Sequence, residues 1–439
     1  MSTGTDSEWA AAARLVRRTG FGATGTDVDA ARKLGPAAYV ARVVGADPST
    51  DPGAKRTPPP TFPAIAPAGK NAGTDAKKAS RKALHEQDTK LTAWWLRRMA
   101  SVDEPFGEKL TFAWHSHFAT SLKKVKYAPL MLQQNQRQRS LGTGDFHTLA
   151  YTMLTDAATQ RWLDNEKNTV KGPNENLSRE FMEIFTLGHS DGYTETDVRE
   201  GARALTGYRI NPKDGAVQLR PALRDSASKT FLGRTGDLGP SQFCDAVLAR
   251  PGCAPYVVTR LWSRFVSNTA PAKDVLDRLV AAYGPKRDLA ALFRTMFTDP
   301  SFQAAGGTFV IGPVEWLVGA VRALKVPTDS DKQVAQFGTL LDSLGQLPLY
   351  PPSVGGWPSG PVWLSTAAAD LRFRGAAMLT QHADLSTITG STTARLETVA
   401  QLLGVAAWSP RTLSVLKGSA NDPKQLVAVA LNTPEYLVH

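Results

Sequence analysis

The sequence predicts a mainly α protein: a multi-helix globular array with one small β-hairpin inserted near residues 207–220. Three observations lead there. Apolar residues recur at helical spacing through most of the chain. One stretch alternates polar and apolar residues, Tyr208-Arg209-Ile210-Asn211-Pro212 and Ala216-Val217-Gln218-Leu219 about Lys213-Asp214-Gly215, as a hairpin does. No repeat of fixed period interrupts the pattern.

The elements follow in order. Ser7-Glu8-Trp9 opens a first helix that carries Leu15 and Val16 and ends at Gly20-Phe21-Gly22. Thr24 or Thr26 caps a second, running towards Val44. Residues 46–80, with Pro58-Pro59-Pro60, read as a Pro/Gly/Lys-rich loop or linker that packs poorly. From Lys82 the chain turns helical, with Leu91, Trp94, Trp95 and Leu96 on a wide apolar face. Further helices are expected at 105–120, 127–140, 146–158, 174–188 and 194–206, then from 240 to 297 after the hairpin, and again between 312 and 437. Residues 346–365 form a Pro/Gly/Trp-rich loop. The organisation expected is an N-terminal helical segment, 1–45, the loop 46–80, and one large helical core, 81–439, on which the N-terminal helices pack.

A chain of 439 residues, 42% hydrophobic and 21% charged, has material for a large core. No apolar run of about 18 residues exists, so no transmembrane segment is expected. Met1 to Ala13 carries Asp6 and Glu8 and no apolar signal core; this reads as cytoplasmic, with export alongside a partner as the alternative. The net charge is +11, and residues 50–126 hold 14 Lys/Arg against 7 Asp/Glu, a surplus of +7. That is either a basic face for an anionic ligand or a set of solvated loop and helix faces. No zinc-finger spacing or RNA-binding signature accompanies it, so nucleic acid is not the expected partner. Cys244 and Cys253 fit no metal pattern and read as buried thiols, with a disulfide as the alternative.

The densest chemistry lies in Asn174-Glu175-Asn176-Leu177-Ser178-Arg179-Glu180-Phe181-Met182-Glu183. On a helix, Asn176, Glu180 and Glu183 share one stripe, while Phe181, Ile184, Phe185 and Leu187 point in apolar directions. Carboxylates in such surroundings are either paired or chemically active. Glu180 and Glu183 could work as general acid and base, as in glycoside hydrolysis, or sit in a buried ion-pair network with Arg179 and Arg203. Asn174 or Asn176, after Gly172-Pro173, should cap the helix. Both, with Arg179 and Arg203, could also bind and orient a substrate.

Trp114-His115-Ser116-His117-Phe118 offers two imidazoles to a divalent metal ion. On a helix, though, residues two apart point about 200° from one another, so one His should face a pocket and the other pack. His117 is the expected inward one, beside Glu180 and Glu183. Trp357 and Trp363 stand in the Pro/Gly loop as platforms for a ligand face or as plugs between helix layers. There is no Walker A loop, Rossmann fingerprint, HExxH or GxSxG elbow. SxxK occurs three times and carries no weight.

Several segments together resemble one bacterial family, catalogued as domain of unknown function 1800. They are Ala13 to Gly22, Trp114 to Ser121, Asn174 to Glu183 with Thr186-Leu187-Gly188 and Tyr193-Thr194, Ala204 to Tyr208, Phe231-Leu232-Gly233, Leu261-Trp262 to Phe265-Val266, and Pro351-Pro352-Ser353-Val354-Gly355-Gly356-Trp357-Pro358 with Trp363-Leu364-Ser365. The resemblance implies no reaction. It implies a neighbouring gene for a sulfatase-like protein, hence a possible partner. Family members often have Trp at the position of Tyr208 and His at that of Phe185, so a His ligand or base at the second position is lacking here.

Two function classes stay open. One is an enzyme with a His/Glu/Arg/Asn pocket doing acid/base or metal-assisted chemistry on a glycan or peptide. The other is a non-catalytic helical scaffold or escort for a sulfatase-like partner.

Overall fold

The computed structural model describes residues 3–63, 65, 72–189, 191–211 and 215–439, the side chains of 3–6 excepted. Helices dominate, and the only strands among these residues are two antiparallel pairs. Tyr208–Ile210 pairs with Val217–Leu219, with Arg209 opposite Gln218. This is the expected hairpin, although Pro212, Lys213 and Asp214 of its turn lie outside the described residues. A second hairpin, Lys229–Phe231 with Arg234–Gly236, was not expected. Its strands are too short to show alternation. Its turn, Leu232-Gly233, has positive φ at both central residues, the geometry that matches strand twist.

The caps explain the helix starts. Thr24 and Thr194 each form a capping box, with Asp27 and Asp197 respectively. Thr26 and Thr196 do not act as caps.

Two apolar clusters form the core. The first gathers the N-terminal helices with Phe146–Leu154, Cys253–Phe265 and Leu289–Thr298. The second gathers the apolar end of Thr74–Ser101 with Pro313–Ala323, Asp331–Ser343, Thr366–Thr380 and the last helices. Helix Phe106–His117 runs between them and is buried from Glu108 to His117. Phe106, Leu110 and Trp114 join the first cluster and Phe112 the second. A helix covered all round is the reason its polar side chains, Glu108, Lys109, His115 and His117, are buried as well.

The predicted linker is in large part docked. Asp51 caps a short helix, Pro52–Arg56, and also accepts the backbone N–H groups of Asp103 and Glu104. Arg98 donates to the carbonyls of Ala54 and Pro48, and Trp94 Nε1 to that of Thr57, at 3.0 Å. Gln87 reaches Pro63 O at 2.8 Å. Composition hid this, because the partners are backbone carbonyls, which any residue supplies. Residues 64 and 66–71 of that segment lie outside the described residues.

No helix among the described residues is long and apolar enough to cross a membrane. Cys244 and Cys253 are buried free thiols, and burial pushes the Cys253 thiol up to about 12.

Candidate functional site

The Asn174–Glu183 stretch begins in a loop held by asparagines. Asn168 Oδ1 accepts Asn174 N–H at 2.9 Å, and Asn174 Oδ1 accepts Asn176 N–H at 3.0 Å. Asn176 Nδ2 donates to Leu163 O. Both asparagines predicted to orient substrate are thus bonded to backbone; the N-cap position itself is Glu175, without a side-chain cap, and Asn174 takes only the Asn176 N–H.

Asn176–Glu180 is α-helical, and Phe181–Thr186 continues as a π-helix. The wide turn is closed by Leu187 N–H to Met182 O at 2.7 Å and by the Thr186 hydroxyl to Phe181 O at 2.6 Å. Single π turns inside helices recur at functional sites. This one changes the side-chain register immediately after Glu180. Gly188, at φ 75°, then folds the chain back so that His189 and Tyr193 return to the carboxylates.

Arg179 is the hub. It donates to both Glu195 oxygens at 2.7 and 2.8 Å and to Glu175 at 3.0 Å, and lies 3.9 Å from Glu183. Glu183 has His189 Nδ1 at 3.6 Å, and the Tyr193 hydroxyl stands close enough that, after burial, the charge of Glu183 helps push it up. Glu180 stands beside Glu183 with no hydrogen-bonded partner. Partial burial, and next the charge of Glu183, push its carboxyl above the usual range. The cluster is open to water: Glu183 keeps 20% of its side chain exposed and His189 77%. Sequence reasoning missed His189, Tyr193 and Glu195, which helical spacing from Glu180 cannot reach. The Tyr193-Thr194 pair, adjacent to the capping box, was the only signal.

Arg203 belongs elsewhere. It pairs with Asp225 at 2.7 Å and Glu200 at 2.8 Å, not with Glu180. The predicted network therefore contains Arg179 but not Arg203.

His115 and His117 diverge, each into one core. His115 packs on Trp95 and Trp357, with ring centroids at 5.4 and 5.5 Å, and its Nε2 has no partner. His117 packs among Trp114, Phe118 and Phe185, and its Nε2 lies 2.8 Å from Phe185 O. Burial drives both imidazoles down to about 3, with Arg260 adding to the effect at His117. The two cannot share an ion from opposite sides of one helix. Among the described residues no three His, Cys, Asp or Glu side chains are grouped as a metal site. His117 meets the carboxylate-bearing segment through the Phe185 carbonyl.

Trp357 and Trp363 are 2% and 7% exposed. They form no open platform. Trp357 stacks on Phe112 at 5.2 Å, and the Trp363 carbonyl accepts from buried Arg372. Gly356 lets the loop press on helix Phe106–His117: at φ 79°, a Cβ there would lie 2.0 Å from Ser116 O.

The buried ion-pair network sits on another helix. Glu108, fully buried, accepts from Arg98 at 2.6 Å, from Arg139 at 2.6 and 2.7 Å, and from Trp95 Nε1 at 3.0 Å.

A family model described as "Protein of unknown function (DUF1800)" matches residues 14–438. No curated protein and no solved structure matches the chain.

Proposed function

We propose that this chain, which belongs to the DUF1800 family of proteins of unknown function, is an enzyme that transfers protons at the Glu180/Glu183 pair during hydrolysis of a glycan or peptide bond. One observation carries the reading. Of two adjacent, solvent-reached carboxylates, Glu183 has Arg179 and His189 at 3.9 and 3.6 Å, while Glu180 has no ion-pair partner and is raised towards its protonated form. Environments that separate two neighbouring carboxyls suit an acid and a base. Glu180 would give its proton to the leaving oxygen or nitrogen. Glu183, beside Arg179, would take one from the attacking water. Arg179 and Tyr193 flank Glu183, and His117, through Phe185 O, positions the π-helix.

A second reading has its own support. Arg179 clamps Asn176–Glu180 to Glu195–Ala204 through Glu195, as a structural tie in a scaffold for a sulfatase-like partner would. The test is hydrolysis of a panel of chromogenic glycosides and peptide anilides between pH 4 and 9. The enzyme reading expects turnover that Glu180→Gln abolishes in a folded protein. No turnover by the parent chain, together with lowered melting temperatures in Glu180→Gln and Glu183→Gln, would leave the scaffold.

A further inference from the structure

A second polar site lies along helix Phe106–His117, in a narrow cleft against helix Cys253–Phe265. Its walls include Ser116, Ser263, Arg264, Gln346 and Ser359, with Phe309 and Trp363 as apolar sides. The cavity has a volume of about 40 Å³, about three times what one water needs. The mouth is at Pro358 and Ser359, both exposed.

Lys109, Arg264 and Glu315 line the cleft, with Arg17 and Arg18 near Lys109 and Arg260 near Arg264. Arg17, Arg18 and Lys109 are 5%, 1% and 3% exposed. Arg260 and Arg264 stand one helical turn apart on the facing helix. Among the described residues, the only carboxylate paired with any of these five is Glu315, 3.2 Å from Lys109. Lys109 is otherwise satisfied by the carbonyls of Arg17 and Gly20. Arg264 is not. Its Nη2 donates to Trp357 O at 2.9 Å, which fixes the guanidinium, and its other nitrogens have no protein partner. Gln346, 4% exposed, is turned by its Oε1 accepting Val314 N–H at 2.9 Å, leaving Nε2 without one. Arg18 Nε and Nη1, over the Phe309 ring, are also unpartnered. Buried cations without carboxylates are costly, as at Arg17 and Arg18, while half-buried Arg264 presents free donors to the cleft.

We propose that this cleft binds a small tetrahedral oxyanion, phosphate or sulfate, either free or as the terminal group of a larger ligand. Arg264 and Gln346 Nε2 are its donors, with the hydroxyls of Ser263 and Ser359 at the rim. Glu315 is kept from opposing the anion by its pairing with Lys109.

Calorimetric titration of the full chain with inorganic phosphate and with sodium sulfate tests this. The expected result is saturable binding of at least one, with a rise in melting temperature that sodium chloride at equal ionic strength does not give. Arg264→Gln should weaken binding about tenfold or more, the worth of one charged hydrogen-bond donor. It should also raise the melting temperature without anion, by removing an unbalanced cation. Glu180→Gln should leave anion binding unchanged, so failure here is separate from failure of the hydrolase reading. If Arg264→Gln does not fold, Ser359→Trp, at the exposed mouth, should block binding with the fold intact. Absence of saturable binding by the parent chain, or an undiminished anion response in Arg264→Gln, overturns the proposal. A free anion and a bound terminal group are separated by whether a phosphate or sulfate monoester of a small alcohol competes with the inorganic ion.

Discussion

His117 Nε2 lies 2.8 Å from the carbonyl oxygen of Phe185, within the π-helix that also carries Glu183. A carbonyl only accepts, so Nε2 must carry the proton, and the imidazole is the neutral Nε2–H tautomer with Nδ1 bare. The bond ties helix Phe106–His117 to the segment bearing the carboxylates. It makes His117 a positioning residue, not one that touches substrate.

Burial of the two histidines makes the protein acid-sensitive. Both are driven from 6.5 to about 3. Between those values the unfolded state binds protons that the folded state refuses, so stability rises with pH through the window and levels off above it. Each histidine contributes a slope of up to about 1.4 kcal/mol per pH unit. Melting temperatures measured from pH 4 to 8 should fall steeply below about pH 6.5. His115→Gln should reduce the slope; an unchanged slope would show that His115 is not protonated on unfolding in this range.

Glu180 has the opposite sign. Its carboxyl is raised in the folded state by burial and by Glu183. Above the unfolded value the folded state holds more protons, so ionisation of Glu180 destabilises, and the penalty is present at neutral pH. Glu180→Gln should therefore melt at the same or a higher temperature at pH 7, and that gain should vanish below about pH 4, where the carboxyl is protonated in both states. A large drop in both Glu180→Ala and Glu183→Ala would instead mark a structural network.

Glu108 carries the structural penalty that the sequence suggested for Glu180. Two arginines and Trp95 surround it with full burial. Glu108→Ala leaves Arg98 and Arg139 uncompensated and should cost roughly 3–5 kcal/mol. Chemical denaturation would measure it. A loss under about 1 kcal/mol, the range of exposed pairs, would contradict the burial.

Gly356→Ala tests the loop seated on Ser116. The left-handed backbone alone costs about 1–3 kcal/mol for a residue with a side chain, and the Cβ would lie 2.0 Å from Ser116 O. Loss of stability should come with increased near-ultraviolet signal change at Trp357, whose backbone N–H is bonded to Ser116 Oγ. A wild-type melt would show that the loop moves freely away from the helix.

The helical character, the first hairpin, the capping threonines and the polar density of Asn174–Glu183 were legible in the chain. Each depends on neighbours within a few residues, where spacing translates directly into geometry. The divergence of His115 and His117 was legible for the same reason: two residues on a helix cannot face one way. What surrounds a helix was not legible. Helix Phe106–His117 looks like any amphipathic segment with polar residues until two separate cores close on both its sides, and only then are Glu108 and the histidines buried. Trp357 and Trp363 lie in a Pro/Gly loop that composition marks as exposed, yet Gly356 lets that loop meet helix Phe106–His117 and turns them inward. The pairing of Arg203 with Asp225, and the unbalanced cations around Arg264, arise between segments far apart in sequence. Burial and charge balance are sums over such neighbours, and tertiary packing alone decides them.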